Sequence, residues 1–372
     1  MKAGRKMPWL TTITACAIVW VIWNPFSYEG NALHGQASLT STKFQVDPFW
    51  PKPLPEDWVT GNVGGACVDA NDHVFIVNRT ADPTNLTDQE KEVGKSAPPV
   101  IEFDPEGNVV NSWGDPKVVP SSIHDCYFDH EGNLWIGGSR DSIAQKYSHD
   151  GKLLLQIGTK GKFDTSDGTV QGAALNSSHT LLHEPSSFAV DPTNGDVYIA
   201  DGYGNRRVVV FDRDGHYLRQ FGRQATKEES EAGLGGAFLG TVHCVALSND
   251  GHLYVADRDG KRIQVFDKMG NFQRNIFIKR RRADLPGHGA PWWIRFSPDT
   301  AQRYLYVADG RDEVIWTLDR ESGQTLTGFG RLGHMAGEFT FLHTITMNSK
   351  GDLFTAETIG GRRVQKFKAV GN

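Results

Sequence analysis

The chain has 372 residues, with 44 acidic and 39 basic side chains and a formal net charge of -5 at pH 7. This balance provides no broad positive field, so no nucleic-acid partner is expected. The basic run IKRRRAD at 278–284 is interpreted as a solvated loop, because short charge runs usually lie on the surface.

The first forty residues differ in kind from the rest. A basic segment, MKAGRKMP, precedes an apolar one, WLTTITACAIVWVIW. This order is typical of an export signal. The apolar run is shorter than the roughly 20 residues that span a membrane comfortably, and an uncleaved anchor is kept as the alternative. We therefore predict a signal peptide or N-terminal membrane anchor with linker over 1–40. The domain over 41–372 is expected to be exported, to the periplasm, the exterior or the outer face of a membrane.

One pattern recurs six times from residue 64 onward. Each copy combines a short apolar strand, a turn rich in Asp, Asn and Gly, and further strands rich in β-branched and aromatic residues. The copies begin about 50 to 60 residues apart, a period typical of propeller blades rather than helical solenoids. They start at Gly64 (GGACVDANDHVFIV), His124 (HDCYFDHEGNLWIG), Ser186 (SSFAVDPTNGDVYIAD), His243 (HCVALSNDGHLYVAD), Trp292 (WWIRFSPDTAQRYLYVAD) and His343 (HTITMNSKGDLFTAE). We predict an all-β fold, a six-bladed β-propeller, whose closure leaves no exposed sheet edge.

The last copy lacks an outer strand of its own. It ends in one predicted strand from Arg362 to Lys368, with almost nothing after it. The segment KFQVDPFWP, which begins at Lys43, is expected to supply the outer strand, since its prolines suit an edge position.

Three cysteines, Cys67, Cys126 and Cys244, lie beyond the export segment. Because their number is odd, no disulfide framework is indicated. All three fall in the first strand of a copy, where small buried apolar residues are expected. Cys126 shares a strand face with His124 but is not expected to be a metal ligand.

Three histidines share one register when the copies are aligned on their turn glycines. His124, His243 and His343 stand at the same position in copies two, four and six, and copies one, three and five have no histidine there. Alternate blades of a sixfold ring are about 120° apart, so the three imidazoles should converge on the central axis. Separate core roles for the three would not explain this alternation. Three neutral imidazoles leave the fourth tetrahedral position of zinc open, as in catalytic zinc sites.

Three further polar residues follow the second strands of their copies. Arg79, Tyr203 and Arg258 occupy comparable positions and should lie in loops near one mouth of the central channel. Each alone would commonly have no special role. Together with a metal they form an acid–base and anion-binding set.

The run from about Gly64 to Lys368 resembles the catalytic domain of the peptidyl-α-hydroxyglycine α-amidating lyases, which are NHL-repeat propellers. The segments that carry the resemblance are EPSSFAVDPTNGDVYIADGYGNRRVVVF, VHCVAL, LYVADRDGKRIQVF and FLHTI. The resemblance implies a zinc ion on the three histidines, Tyr203 as the catalytic tyrosine, and Arg79 and Arg258 as the active-site arginines. The implied carbon–nitrogen lyase reaction converts a peptide or small molecule with an α-hydroxyglycine group into an amide and glyoxylate.

The chain departs from the family at three positions. Thr344 stands where the family has an aspartate that binds calcium, which removes one ligand of the family's calcium ion. Phe341 replaces a methionine near the zinc. Gly204 replaces the cysteine after the catalytic tyrosine, so the disulfide of the family is not expected at that position.

Two other functions are considered. A non-catalytic NHL propeller would bind a protein or peptide on one face, and would not need a ring of histidines. A metal-dependent lactonase or esterase on a related propeller would use calcium, which prefers oxygen ligands. Because the inward positions are imidazoles, zinc is favoured over calcium.

Overall fold

The computed structural model describes nearly all of the repeats predicted above. The described residues are 42–79, 86–164, 176–278 and 289–370. The predicted export segment at 1–40 lies outside them, as does the basic run beyond residue 278.

Six four-stranded antiparallel sheets form six blades, which confirms the predicted propeller. Blades one to three contain β3 (Val63–Val68), β4 (Val74–Asn78), β6 (Val100–Phe103) and β7 (Val109–Trp113); β8 (Ile123–Phe128), β9 (Leu134–Gly138), β10 (Ile143–Tyr147) and β11 (Leu153–Ile157); and β12 (Pro185–Val190), β13 (Val197–Asp201), β14 (Arg207–Phe211) and β15 (Tyr217–Phe221). Blades four to six contain β16 (Val242–Leu247), β17 (His252–Asp257), β18 (Arg262–Asp267) and β19 (Phe272–Phe277); β20 (Trp293–Phe296), β21 (Tyr304–Asp309), β22 (Val314–Asp319) and β23 (Thr325–Phe329); and β24 (Leu342–Met347), β25 (Leu353–Glu357), β26 (Arg363–Val370) and β1 (Lys43–Asp47).

Little regular structure lies outside the blades in the described part of the chain. It consists of a short parallel pair, β2 (Trp58–Val59) and β5 (Lys95–Ser96), a 3-10 turn (Pro55–Asp57), and the helices α1 (Asp88–Val93) and α2 (Lys227–Glu231). A capping box begins each helix, at Thr87 and Thr226. Neither helix, nor any other among the described residues, has the length and apolar character needed to cross a membrane.

The ring of blades closes in two ways. The inner strands β3, β8, β12, β16, β20 and β24 contact one another in order around the ring, and β24 contacts β3. Within blade six, β1 pairs antiparallel with β26, with Lys43 opposite Val370 and Asp47 opposite Lys366. The prediction that the segment from Lys43 supplies the outer strand is therefore confirmed.

Phe44 is the side chain through which β1 packs on its neighbours. Its ring centroid lies 5.5 Å from that of Tyr306 and 5.2 Å from that of Phe329. Because Phe44 is only half-buried, we expect Phe44→Ala to lower the free energy of unfolding by about 2 kcal/mol, less than the 3–5 typical of a fully buried phenylalanine. Gln45→Ala, on the exposed face of the same strand, should change it by less than about 0.5 kcal/mol. Urea unfolding of both variants measures this, and equal losses would contradict a packing role for Phe44.

Register shifts of the kind that β-bulges cause interrupt five of the six inner strands close to where they begin, and β20 is the exception. In β8 and β24 the residues omitted from the regular pairing are His124 and His343. In β16 the register shifts across His243 and Cys244. A bulge inserts an extra residue and redirects its side chain. The three histidines are therefore turned out of the normal alternation of their strands.

The sequence-based expectation of no disulfide is wrong for one pair of cysteines. Cys67 and Cys126 form a disulfide, with Cα atoms 5.7 Å apart. They lie on β3 and β8, inner strands of consecutive blades that run side by side, so residues distant in sequence become neighbours. Only Cys244 remains the buried thiol that was expected. Because the sulfur of Cys126 is bonded to Cys67, it is not available to a metal.

Candidate metal centre and active site

The three histidines of the predicted register meet at the centre of the ring. Their potential ligand nitrogens all lie within 4.8 Å of one another. The Nε2 atoms of His124 and His343 are 3.2 Å apart. All three side chains are buried, with exposures of 2%, 0% and 2% for His124, His243 and His343. The structure thus brings together the residues that the blade register selected.

Each of the three imidazoles is oriented by a backbone carbonyl of the next blade. The Nδ1–O distances are 2.8 Å for His124 and Ser186, 2.7 Å for His243 and Trp292, and 2.6 Å for His343 and Gly64. These acceptors occupy the histidine register in the three blades that lack histidine. An Nδ1 proton donated to a carbonyl leaves Nε2 with its lone pair directed at the axis.

The electrostatics of the ring favour neutral imidazoles. Burial, then the two neighbouring imidazoles and Arg79, lower the pKa of His124 well below its usual value. Burial, with Arg79 adding to it, lowers the pKa of His343 to about 3. The lone pairs of two neutral imidazoles repel each other at 3.2 Å, and a cation bound between them would offset that repulsion. Zinc–nitrogen bonds of about 2.0–2.1 Å at tetrahedral angles separate the nitrogens by about 3.3–3.4 Å, so these residues fit a zinc ion.

Tyr203 lies directly at the histidine ring. Its hydroxyl oxygen is 3.0 Å from Nε2 of His124 and 3.0 Å from Nε2 of His243. The loop that carries it follows β13 and is held by a buried ion pair, with Arg207 Nε 2.8 Å from Asp201 Oδ2. Since both members of this pair are fully buried, it fixes the hairpin on which the tyrosine stands.

Gly204 shows why a larger residue cannot follow this tyrosine. A Cβ atom built there would lie 2.0 Å from the ring of His183. The resembled family has a cysteine at this position, but in this chain the ring of His183 fills the space that a side chain at Gly204 would need.

Arg258 reaches the same point from the next blade. It follows β17, is only 3% exposed, and places Nη1 3.4 Å from the Tyr203 hydroxyl. Nη2 donates to Oγ1 of Thr241 at 2.9 Å. The guanidinium carbon lies 5.3 Å from the Tyr203 ring centroid and 5.1 Å from that of Trp292. Stacking on both rings fixes the orientation of this charge.

Arg79 completes the predicted set. It follows β4 and donates from Nε to the carbonyl of Ile123 at 2.7 Å, one residue before His124. Its charge lowers the pKa of both His124 and His343, so it lies within electrostatic reach of the ring. All six residues predicted from the sequence are thus assembled at one place.

Two aromatic residues at the site, Trp292 and Trp293, were not identified as site residues from the sequence. Trp293 is fully buried, with its ring centroid 6.5, 5.8 and 6.2 Å from those of His124, His243 and His343. Phe341 contacts Trp292 at 5.2 Å between centroids, and Trp292 in turn contacts His243 at 5.5 Å. The two consecutive tryptophans at the histidine register of blade five were the feature of the sequence that could have indicated these site residues. Because Trp293 is buried and Tyr203 is partly exposed, the histidine ring is nearest to solvent on the Tyr203 side.

A cavity of about 320 Å³ lies at the opposite ends of the inner strands, with Tyr127, Arg295 and Met347 among its lining. None of the three ring histidines, nor Tyr203, lines it. The chemistry of the histidine ring, rather than the size of this cavity, locates the candidate active site.

Comparison with known proteins agrees with this architecture. The NHL repeat family model matches residues 182–211 and 239–266, which include Tyr203, His243 and Arg258. The human NHL repeat-containing protein 3 is 29% identical over 344 residues, covering 87% of this chain and 84% of that protein. A Caenorhabditis elegans protein named a probable peptidyl-alpha-hydroxyglycine alpha-amidating lyase is 26% identical over 281 residues, covering 72% of this chain and 73% of its own. A solved streptogramin B lyase is similar in fold, with a TM-score of 0.55, 14% identity, and coverage of 88% of this chain and 98% of that one.

Proposed function

We propose that this chain, an NHL-repeat propeller whose relatives include peptidyl-α-hydroxyglycine α-amidating lyases, is a zinc-dependent carbon–nitrogen lyase. Its substrate would be a peptidyl- or N-acyl-α-hydroxyglycine, and its products an amide and glyoxylate. The observation that carries the proposal is the Tyr203 hydroxyl, 3.0 Å from two of three converging histidine nitrogens.

His124, His243 and His343 would hold the zinc through Nε2. When bound, zinc would supply Lewis-acid chemistry that acidifies a hydroxyl group. The carbonyls that accept from the three Nδ1 atoms keep the imidazoles in one tautomer and one orientation.

Tyr203 is assigned the proton transfer. In the reaction the substrate hydroxyl loses its proton, the bond between the α-carbon and the amide nitrogen breaks, and the nitrogen gains a proton. The hydroxyl oxygen becomes the aldehyde oxygen of glyoxylate, so atoms and charge balance without another reactant. A phenol oxygen fixed between two ring nitrogens is placed to receive and return this proton.

Arg258 and Arg79 are assigned to the substrate carboxylate. Both are held at the ring, Arg258 by Thr241 and by stacking, and Arg79 by the Ile123 carbonyl. A guanidinium fork matches a carboxylate in geometry, and each charge is fixed before the substrate arrives.

The direct test is glyoxylate release. Metal-replete protein should release glyoxylate from a panel of N-acyl-α-hydroxyglycines faster than buffer with the same zinc, and faster than the protein after chelation. Trapping the aldehyde with a hydrazine reagent measures it. No release above buffer across the panel would reject the lyase and leave the fold as described.

A second candidate function rests on the human relative. That protein is named only for its NHL repeats, and it matches this chain over most of both lengths. A non-catalytic propeller would bind a protein or peptide on one face. In that case the chain would bind its partner equally well with and without the histidine ring. A calcium-dependent lactonase or esterase is less well supported, since three imidazoles face the axis and calcium prefers oxygen ligands.

Export from the cytoplasm is proposed with the function. The Cys67–Cys126 disulfide supports it, because such bonds persist in oxidising compartments. We expect protein recovered from outside the cytoplasm, with residues 1–40 cleaved, to have one reactive thiol, that of Cys244, when it is unfolded without reductant. After reduction of the Cys67–Cys126 disulfide it should have three. Fractionation with N-terminal sequencing and thiol titration tests both points. Full-length protein confined to the cytosol, with all its thiols reactive, would contradict export.

A further inference from the structure

A second group of metal-ligating side chains lies between blades one and two. Asp69, Glu102 and His149 place their potential ligand atoms within 4.8 Å of one another. His149 Nε2 is 3.3 Å from Asp69 Oδ2 and 3.7 Å from Glu102 Oε1. Asp69 follows the last residue of β3, so this seam cluster lies at the opposite end of the inner strand from the histidine ring.

The hydrogen bonds around the seam cluster orient its carboxylates. Asp69 Oδ1 accepts the backbone amides of Asn71 and His73, each at 2.8 Å, which leaves Oδ2 directed at His149. The Nδ1 atom of His73 is 2.6 Å from Glu102 Oε1. Neighbours that fix the ligands in this manner are typical of protein metal sites.

Two carboxylates concentrate negative charge in the seam cluster. The side chains of Asp69 and Glu102 are each only 5% exposed. Within the described parts of the chain their ion-pair partners are His73 and His149, with no lysine or arginine among them. Two buried carboxylates this close repel each other, and a divalent ion bound between them would offset that repulsion.

We propose that Asp69, Glu102 and His149 bind a divalent transition-metal ion, and that His73 positions Glu102 by donating a hydrogen bond to it. Mixed imidazole and carboxylate ligands suit zinc and similar ions. The His149 side chain is 45% exposed, which gives the ion access from solvent and leaves room for water as a further ligand. The ion would join blade one to blade two, the same two blades that the Cys67–Cys126 disulfide joins.

Burial distinguishes this cluster from another group of similar composition. Asp212, Asp214 and His216 also approach one another in blade three. The His216 side chain is 78% exposed, and water can solvate that group without a metal. We make no proposal for it.

The test counts zinc in variants that separate the two sites. Metal-free protein is dialysed against zinc at pH 7.5, and bound zinc is measured by atomic absorption. Wild type should bind two equivalents if both sites exist. His149→Ala and Glu102→Gln should each lose one equivalent, because each removes a direct ligand and should lower affinity at the seam by at least the roughly 10–100-fold that loss of an outer-shell partner causes. His130→Ala, an exposed histidine of the same blade, is the matched control and should lose none.

This proposal does not depend on the proposed function. If the histidine ring binds no zinc, wild type should bind one equivalent and His149→Ala none. If both sites bind, the double variant His124→Ala/His343→Ala should retain one equivalent of zinc, and zinc should still raise its melting temperature. Introducing His149→Ala into this double variant should abolish that rise. Zinc binding that is unchanged in both His149→Ala and Glu102→Gln, with circular dichroism showing folded protein, would overturn the proposal.

Discussion

Replacing Tyr203 with phenylalanine should abolish most glyoxylate release while leaving zinc bound. The substitution removes only the hydroxyl, which lies 3.0 Å from Nε2 of His124 and of His243 and is not needed to hold either imidazole. The imidazoles keep their carbonyl partners, so the metal site should remain intact. Loss of a positioned proton-transfer group typically lowers turnover by about 10² to 10⁴-fold.

The matched control is Tyr217→Phe, the same change in the same blade. Tyr217 stacks on His179 at 3.9 Å between ring centroids and contacts none of the ring histidines. We expect unchanged turnover and unchanged zinc content for this variant. If Tyr203→Phe and wild type released glyoxylate at the same rate, the tyrosine would have no part in the chemistry, although the zinc site could stand.

Removing two of the three ring histidines should eliminate both zinc binding at the ring and catalysis. In His124→Ala/His343→Ala a single imidazole remains, and one neutral nitrogen cannot retain a zinc ion against water. We expect loss of one equivalent of zinc by elemental analysis, and glyoxylate release no faster than in buffer with zinc.

The control for this variant is His130→Ala/His334→Ala, which removes two exposed histidines instead. It should retain full zinc content and full turnover. Zinc content that did not fall in His124→Ala/His343→Ala would contradict a metal site at the ring, whatever happened to activity. Melting temperatures of both variants would show whether any loss of activity came from unfolding.

The sequence predicted the propeller fold and the histidine ring because both follow from the repeats along the chain. Blade period and register follow from the spacing of apolar strands and turn glycines, and alternation of histidine among copies places the three on one axis. The β-bulges could not be predicted, because the pairing of His124 depends on hydrogen bonds between β8 and β9 rather than on residue type. The backbone carbonyls that orient the histidines could not be predicted either, since every residue has a backbone carbonyl.

The disulfide was missed for a related reason. Counting gave three cysteines, and an odd number argued against pairing. Cys67 and Cys126 are three and two residues past the register position of their copies, so alignment alone did not superpose them. They meet because adjacent inner strands lie side by side. The available indication was that both occupy first strands of consecutive blades.

His149 shows the limit of interpreting turn residues. Its position between β10 and β11, in the polar sequence SHDG, is typical of a surface residue, and the side chain is 45% exposed. The sequence did not indicate that its ring also lies edge-on to Phe75 of the preceding blade, with centroids 5.1 Å apart. Contacts between blades come from the ring geometry, which no single repeat contains.

The alternation of histidine between successive blades limits how the propeller could change its size. One blade with a histidine and one without, such as those of His124 and Ser186, follow each other around the ring, so the repeating unit of the centre is a pair. Gain or loss of a single blade would set two histidines, or two blades without histidine, next to each other and break the regular spacing of the imidazoles about the axis. An ancestor or an engineered derivative that keeps this alternation should therefore grow or shrink by two blades at a time.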